Sequence, residues 1–423
     1  MQHIGPMNNL LYAILLAASF GSAFADSIED TARGIHTRTL TLDTHIDINP
    51  KDFTTERNPG MRLDGVAVDL PKMNEGGLDA GFFIVYVGQG DATLKARKAA
   101  HEKALEKFRA IHRMTEEINP DTIQLALSSA DVTRIWRSGK KVAMIGVENA
   151  YPLEYDQAYL KDFHDLGARY ISLTHNKHNL FADSNYPKAG EPASIHNGVS
   201  DAGRNLISEA NKLGIMLDIS HASKKSALDI INYSSAPVIA SHSAVDNLLP
   251  HSRNLDDEVL KALKSNNGVV HIVAFRSYLK ETPHEKMQRL NELAEEFNLP
   301  KGDIWSEGDR IFSALFAQPK ENIGAYFSKW KEITRTSPHA DISDLIDHVD
   351  YVVNKIGIDH VGISSDFGGG GGVDGWEDAS QTFNITLELV RRGYTEADIA
   401  KIWSGNLLRV WADVEAVAAA SKQ

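Results

Sequence analysis

Eight short runs rich in apolar and β-branched residues recur along the chain, and helix-like amphipathic stretches separate most of them. This alternation constrains the fold more than any other feature, because strands spaced by helices pair in parallel and are buried on both faces. The runs lie at 39–48, 78–87, 141–149, 169–175, 214–221, 236–243, 268–275 and 360–367. Helical patterns fall between them at 93–118, 201–213, 223–233, 256–265 and 342–355, with Asp201 and Ser223 expected as N-caps and Gly214 as a stop. Eight parallel strands are what closes a (β/α)8 TIM barrel, and that α/β fold is expected here as one domain over 26–423. The rival is a doubly wound open sheet, but no GxGxxG turn follows the first run, which removes its dinucleotide-binding version. A charged, helical insertion at about 276–339 separates the seventh and eighth runs and is expected to form a lid or a subunit contact. Five glycines at 368–372 follow the eighth run without a GK[ST], so they are expected to make a mobile loop at the barrel mouth and not a phosphate cradle.

Polar residues collect at the ends of these runs. His45 and Asp47 end the first, Glu148 the third, His175 the fourth, His221 the fifth, His242 the sixth and Asp366 the eighth. These are the C-terminal ends, the face where barrel enzymes keep their chemistry. In His45-x-Asp47 the two side chains share one side of a strand, so an imidazole and a carboxylate point together into the mouth while Ile46 packs outward. With 17 His and no Cys, any metal must be held by histidines and carboxylates. Three histidines with two or three carboxylates exceed one tetrahedral site, which points to two metals. The other histidines are discounted: His101, His112 and His164 as members of solvated helix faces, His178, His196 and His251 as loop residues, and His271 as a core residue.

Charge and termini narrow the setting. The 44 Lys+Arg and 57 Asp+Glu leave a net charge of −13, a poor match for nucleic acid. An apolar run at 10–20 (LLYAILLAASF) followed by Ala23-Phe24-Ala25 reads as a signal peptide over 1–25, cut near Ala25. The C-terminal residues carry no long apolar tail, so no membrane anchor is expected in the mature form. The expectation is an exported protein, periplasmic or secreted, with a homodimer as the base-rate assembly.

With these residues in hand, the chain resembles the renal dipeptidase (membrane dipeptidase) family of binuclear zinc peptidases, as a bacterial exported member. The resemblance rests on DTHID (43–47), GVEN (146–149), RYISLTHN (169–176), GIMLDISHAS (214–223), PVIASHSAV (237–245), RNLDDE (253–258), GISSDFGG (362–369) and GNLLRV (405–410), in order along nearly the whole mature chain. It implies two Zn2+ per subunit, with Mn2+ or Co2+ as substitutes. His45 and Asp47 would ligate one ion, His221 and His242 the other, and Glu148 would bridge both. It further implies that His175 contacts substrate, Arg253 holds the substrate carboxylate and Asp366 is the catalytic acid/base. The implied activity is hydrolysis of dipeptides by a metal-bridging hydroxide, with tolerance of a D-residue at the C-terminal position. Thr44 and Asn149 stand where many members carry Gly, and both are expected to affect pocket width.

Two other functions share part of this pattern. Another metal-dependent amidohydrolase or lactonase on the same barrel would more often show HxH on its first strand and a carboxylated Lys bridge, whereas this chain has His45-x-Asp47 and Glu148. A non-catalytic exported binding protein would be expected to have lost ligands, and none of the implied set is missing.

Overall fold

The computed structural model describes residues 27–422, apart from 189, 303–310, 312–313 and 338. The apolar run at 10–20 and the cleavage expected near Ala25 lie outside the described residues. The strands in chain order are β1 (Leu42–Asp47), β2 (Ala80–Tyr86), β3 (Ile123–Leu125), β4 (Lys141–Glu148), β5 (Ala168–Ser172), β6 (Met216–Asp218), β7 (Ile239–Val245), β8 (Asn254–Leu255), β9 (Val269–Val273) and β10 (Val361–Ser364). Eight of them follow one another in parallel as β1-β2-β4-β5-β6-β7-β9-β10, and each overlaps one of the expected runs. The short strands β3 and β8 pair only with β4 and β7 and were not expected.

The sheet closes into a barrel at the seam between β10 and β1. There one parallel bridge joins Ile46 to Phe367, with the Asp47 N–H donating to the Phe367 carbonyl at 2.8 Å. Beside it, Asp43 accepts from both the backbone N–H and the hydroxyl of Ser365.

Alternation along the strands divides the core in two. On β4, Ala143, Ile145 and Val147 join a cluster that includes Phe108, Phe163, Leu206 and Val349 from the surrounding helices. Val142 and Met144 face the other way, into a cluster with Leu42, Phe82, Tyr170 and Trp411. Trp411 belongs to the helix Asn406–Ala420, whose Leu407, Val410 and Val414 pack into the same cluster. The strands therefore bury both faces, as a barrel wrapped by helices requires.

Helix ends follow their chemistry, with one correction. Ser223 caps Lys224–Tyr233 as expected, accepting from the Ser226 N–H at 3.1 Å. The Asp201–Leu213 helix is capped by Ser200 and not by Asp201: the serine Oγ accepts from the Gly203 N–H at 3.0 Å. Asp201 instead occupies the first turn, where its charge suits the helix dipole. Gly214 ends that helix at φ 80°, in the left-handed region. In the insertion, helices His284–Glu296 and Lys320–Arg335 share a small apolar cluster that includes Leu293, Leu299 and Tyr326. No helix of the described residues is long and apolar enough to cross a membrane.

Candidate metal centre

The site assembles at the C-terminal ends of the barrel strands. His45 and Asp47 project from β1 to the same side, with His45 Nε2 3.5 Å from Asp47 Oδ2. Glu148, the last residue of β4, divides its two oxygens between two sets of histidines. Its Oε2 lies 3.5 Å from His45 Nε2, while its Oε1 lies 3.1 Å from His221 Nε2 and 3.4 Å from His242 Nε2. Asp366 Oδ1 comes within 3.9 Å of His45 Nε2, and His175 Nε2 within 4.0 Å of Glu148 Oε1. Arg253 donates through Nη2 to the His242 carbonyl at 2.9 Å, and its guanidinium lies 5.5 Å from the Tyr278 ring centroid.

All eight residues singled out from the sequence thus meet in one place. Seven of them line a cavity of about 410 Å³, and His45, fully buried, lies against their carboxylates. A cavity of that size suits a small ligand. The strand ladders are shorter than the runs, however, so His175, His221 and Asp366 lie beyond the ends of β5, β6 and β10. His221 (φ 64°), Asp366 (φ 56°) and Asn149 (φ 72°) all take left-handed conformations, three of the seven described non-glycine residues that do. Such backbone strain clusters where side chains must be re-aimed for function.

Two expectations about the rim change. Thr44 and Asn149 do not line the cavity. Thr44 donates to the Ser241 carbonyl at 2.6 Å, and Asn149 Nδ2 donates to the Val87 carbonyl at 2.9 Å. Asn149 stands in for glycine because asparagine tolerates the left-handed backbone. The glycines at 368–372 form a hydrogen-bonded turn, with Gly369 and Gly371 N–H donating to the Asp366 carbonyl at 3.1 and 2.9 Å. A Cβ on Gly369 would meet Asp366 Oδ1 at 2.4 Å and Asp47 Oδ2 at 2.5 Å. Glycine is needed there for close approach to two carboxylates, not for looseness.

Among the discounted histidines, His101 is buried and stacks on Tyr159 at 4.1 Å, in place of the solvated position expected of it. His271 is a core residue, as expected. The sequence reading missed Tyr86, at the end of β2, and Tyr278, both lining the cavity. Tyr86 Oη lies 3.4 Å from His175 Nδ1. Its strand-end position was the signal available, whereas Tyr278 carried none because it falls in the insertion. Among the described residues of this region the cavity lining takes Tyr278 alone, next to Phe275 from the end of the seventh run.

The electrostatics call for a cation. His45 Nε2 is buried without a hydrogen-bond partner, facing carboxylate oxygens of Asp47, Glu148 and Asp366. Burial would lower the proton affinity of His45, but the Glu148 and Asp47 carboxylates outweigh it and hold the imidazole well above its usual value. Burial drives His221 and His242 well below theirs. Burial would raise Glu148, yet the histidines around it hold its carboxyl well below the ordinary range. Asp366 goes the other way, raised well above that range by burial and by Asp47 and Glu148, with His45 opposing. A buried imidazole nitrogen without a hydrogen-bond partner, facing three carboxylates and flanked by further histidines, fits a divalent metal with His and carboxylate ligands. Grouped by reach, His45, Glu148 and His242 form one set, Glu148, His175 and His221 a second, and His45, Asp47 and Asp366 a third.

Comparison with known proteins agrees with this chemistry. The family described as membrane dipeptidase (peptidase family M19) matches residues 29–423. Dipeptidase tcpJ of Claviceps purpurea is 32% identical over 360 residues, covering 84% of this chain and 71% of that protein. Dipeptidase aclJ of Aspergillus oryzae is 32% identical over 356 residues, covering 83% and 71%. The structure of the probable dipeptidase PvdM from Pseudomonas aeruginosa superposes with a TM-score of 0.82 at 32% identity, covering 93% of this chain and 100% of that one. A metallopeptidase from Rhodobacter sphaeroides, liganded with a phosphinate mimic of the dipeptide L-Ala-D-Ala, shares the fold with a TM-score of 0.67 at 23% identity, covering 89% and 99%.

Proposed function

The chain belongs to the membrane dipeptidase family, peptidase family M19, and is a metallo-dipeptidase; on that premise we propose a binuclear zinc centre that hydrolyses dipeptides with a free C-terminal carboxylate. The observation that carries the binuclear reading is the division of Glu148, with one oxygen toward His45 and the other toward His221 and His242. His45 and Asp47 would hold one ion, His221 and His242 the second, and Glu148 would bridge them. The pair of ions would supply an activated water and a Lewis acid for the scissile carbonyl.

The chain's own residues do the rest. Arg253 pairs with the substrate's terminal carboxylate, which selects short substrates over internal peptide bonds. Its guanidinium is kept in place by the His242 carbonyl and the Tyr278 ring. His175, whose Nε2 points toward Glu148, lies where it can donate to the oxygen of the tetrahedral intermediate. Asp366 takes a proton from the attacking water and delivers it to the departing amine, a task suited to a buried carboxyl of raised proton affinity. Tolerance of a D-residue at the C-terminal position is part of the proposal; the Rhodobacter sphaeroides relative of the same fold holds a mimic of an L-D dipeptide.

The test is amino-acid release from a panel of LL and LD dipeptides by metal-reconstituted protein, with N-blocked and C-amidated versions as controls. Release from the free dipeptides with zinc supplied, lost on chelation, is the expected result. No release from any member of the panel defeats the reading. Export with cleavage near Ala25 is proposed from the apolar run at 10–20. N-terminal sequencing of the mature protein checks it, and an intact first residue overturns it.

A further inference from the structure

The Nδ1 atoms of two candidate ligands are each tied to a buried hydroxyl. Ser241 Oγ lies 2.8 Å from His242 Nδ1 and 2.6 Å from Asp218 Oδ2. Tyr170 Oη lies 3.0 Å from His45 Nδ1 and 3.1 Å from the Thr44 carbonyl oxygen. Asp218, Ser241, Tyr170 and both histidines are buried. A hydroxyl has one proton, and an ionised carboxylate or a carbonyl can only accept. Each hydroxyl therefore donates away from its histidine and accepts from it. Nδ1 carries a proton in both rings, which leaves Nε2 as the nitrogen free to face a cation in the cluster.

We propose that Ser241, itself oriented by Asp218, and Tyr170 are positioning residues that fix the tautomer and ring orientation of His242 and His45, and so set how tightly the centre holds its cations. The proposal rests on the reading of these two histidines as metal ligands. Partners of this kind commonly alter metal affinity by roughly 10–100-fold.

The geometry around Asp218 makes the proposal sharp. Its Oδ1 already accepts from the N–H groups of Ser220 at 2.9 Å and Ser241 at 2.8 Å. In an Asp218→Asn variant the amide oxygen must take that place, because only it can accept from two amides. The NH2 group then stands against Ser241 Oγ as a donor and turns the hydroxyl proton toward His242 Nδ1. The ring proton moves to Nε2, where it excludes a cation. Ser241→Ala only removes the support and imposes no wrong tautomer. A merely structural role gives no reason for the amide variant to bind metal less well than the deletion.

Zinc affinity, measured by competition with a chromophoric chelator and checked by elemental analysis, tests this without recourse to activity. Ser241→Ala and Tyr170→Phe are expected to bind zinc roughly 10–100-fold more weakly than the parent, and Asp218→Asn more weakly than Ser241→Ala. Parent-like affinity in both Ser241→Ala and Tyr170→Phe overturns the proposal, and so does Asp218→Asn binding as tightly as Ser241→Ala. If Asp218→Asn fails to fold by circular dichroism, the other two variants decide. His45→Ala and His242→Ala separate the two kinds of failure. Retention of zinc by these variants sinks the ligand reading itself; loss of zinc there, with parent-like hydroxyl variants, sinks only the positioning role.

Discussion

His221 Nε2 and His242 Nε2 lie 3.0 Å apart, and both address the same oxygen of Glu148. Burial drives both imidazoles well below their ordinary proton affinity, so the pair is poorly suited to sharing a proton and well suited to sharing a cation. Chelation should therefore abolish dipeptide hydrolysis and lower the thermal midpoint, with both restored by zinc. At a free metal concentration of 100 times Kd the stabilisation is about 2.7 kcal/mol. Thermal unfolding with and without zinc checks this, and an unmoved midpoint counts against a bound ion at the cluster.

Asp366→Asn is expected to keep its metal and lose turnover by about 10²–10⁴-fold, the usual contribution of a general acid/base. The side chain is buried and held by a left-handed backbone beside Asp47. Metal content and kcat measured on one sample decide the matter; near-parental kcat removes Asp366 from the chemistry.

Replacing Arg253 with Gln should raise KM for dipeptides bearing a free carboxylate, at a cost of roughly 2–5 kcal/mol in kcat/KM for losing a buried charged partner. C-terminal amides should be hydrolysed equally poorly by both proteins. If the variant loses as much activity on the amides as on the free dipeptides, Arg253 does not read the carboxylate.

Two neighbouring glycines should behave differently. A Cβ at position 369 would press on the carboxylate tips of Asp47 and Asp366, whereas one at position 371 would meet the Ser365 carbonyl oxygen at 2.0 Å. Side-chain tips can swing aside and backbone cannot. Gly369→Ala is expected to lower turnover with little change in thermal midpoint, and Gly371→Ala to lower the midpoint itself. Parallel activity and melting measurements on both variants check the contrast.

His271 in β9 offers a pH signature. Burial pushes its imidazole down to about 4, and its Nδ1 is hydrogen-bonded to the Ala240 carbonyl at 3.0 Å. The folded state therefore binds fewer protons than the unfolded one. Its contribution is full above pH ~6.5 and is lost as pH falls toward 4, by up to about 3 kcal/mol. His271→Gln cannot take up that proton, so the stability gap between parent and variant should narrow over this range. A gap independent of pH contradicts the assignment.

The barrel was legible because its strands are buried on both faces, so each appears as a dense apolar run such as 141–149. The candidate metal centre was legible as a cluster because titratable residues stood at the ends of those runs. Some features lay beyond sequence alone. The cap at Ser200 is a side-chain hydrogen bond, and the left-handed turns at His221 and Asp366 beyond β6 and β10 are set at single residues, neither of which apolar periodicity registers. The glycines at 368–372 looked loose because composition reports conformational freedom and not the carboxylates crowding Gly369. His101 was misplaced because Tyr159 and Phe163, which cover it, come from a different helix.

The seam between β10 and β1 divides the chemistry. His45 and Asp47 stand on one side, and Asp366 follows the strand on the other. A backbone bridge and the contacts of Ser365 with Asp43 and the His45 carbonyl fasten this edge. The bridge falls at Phe367, one residue after Asp366, so the contact that closes the barrel also sets the spacing between this carboxyl and the pair on β1.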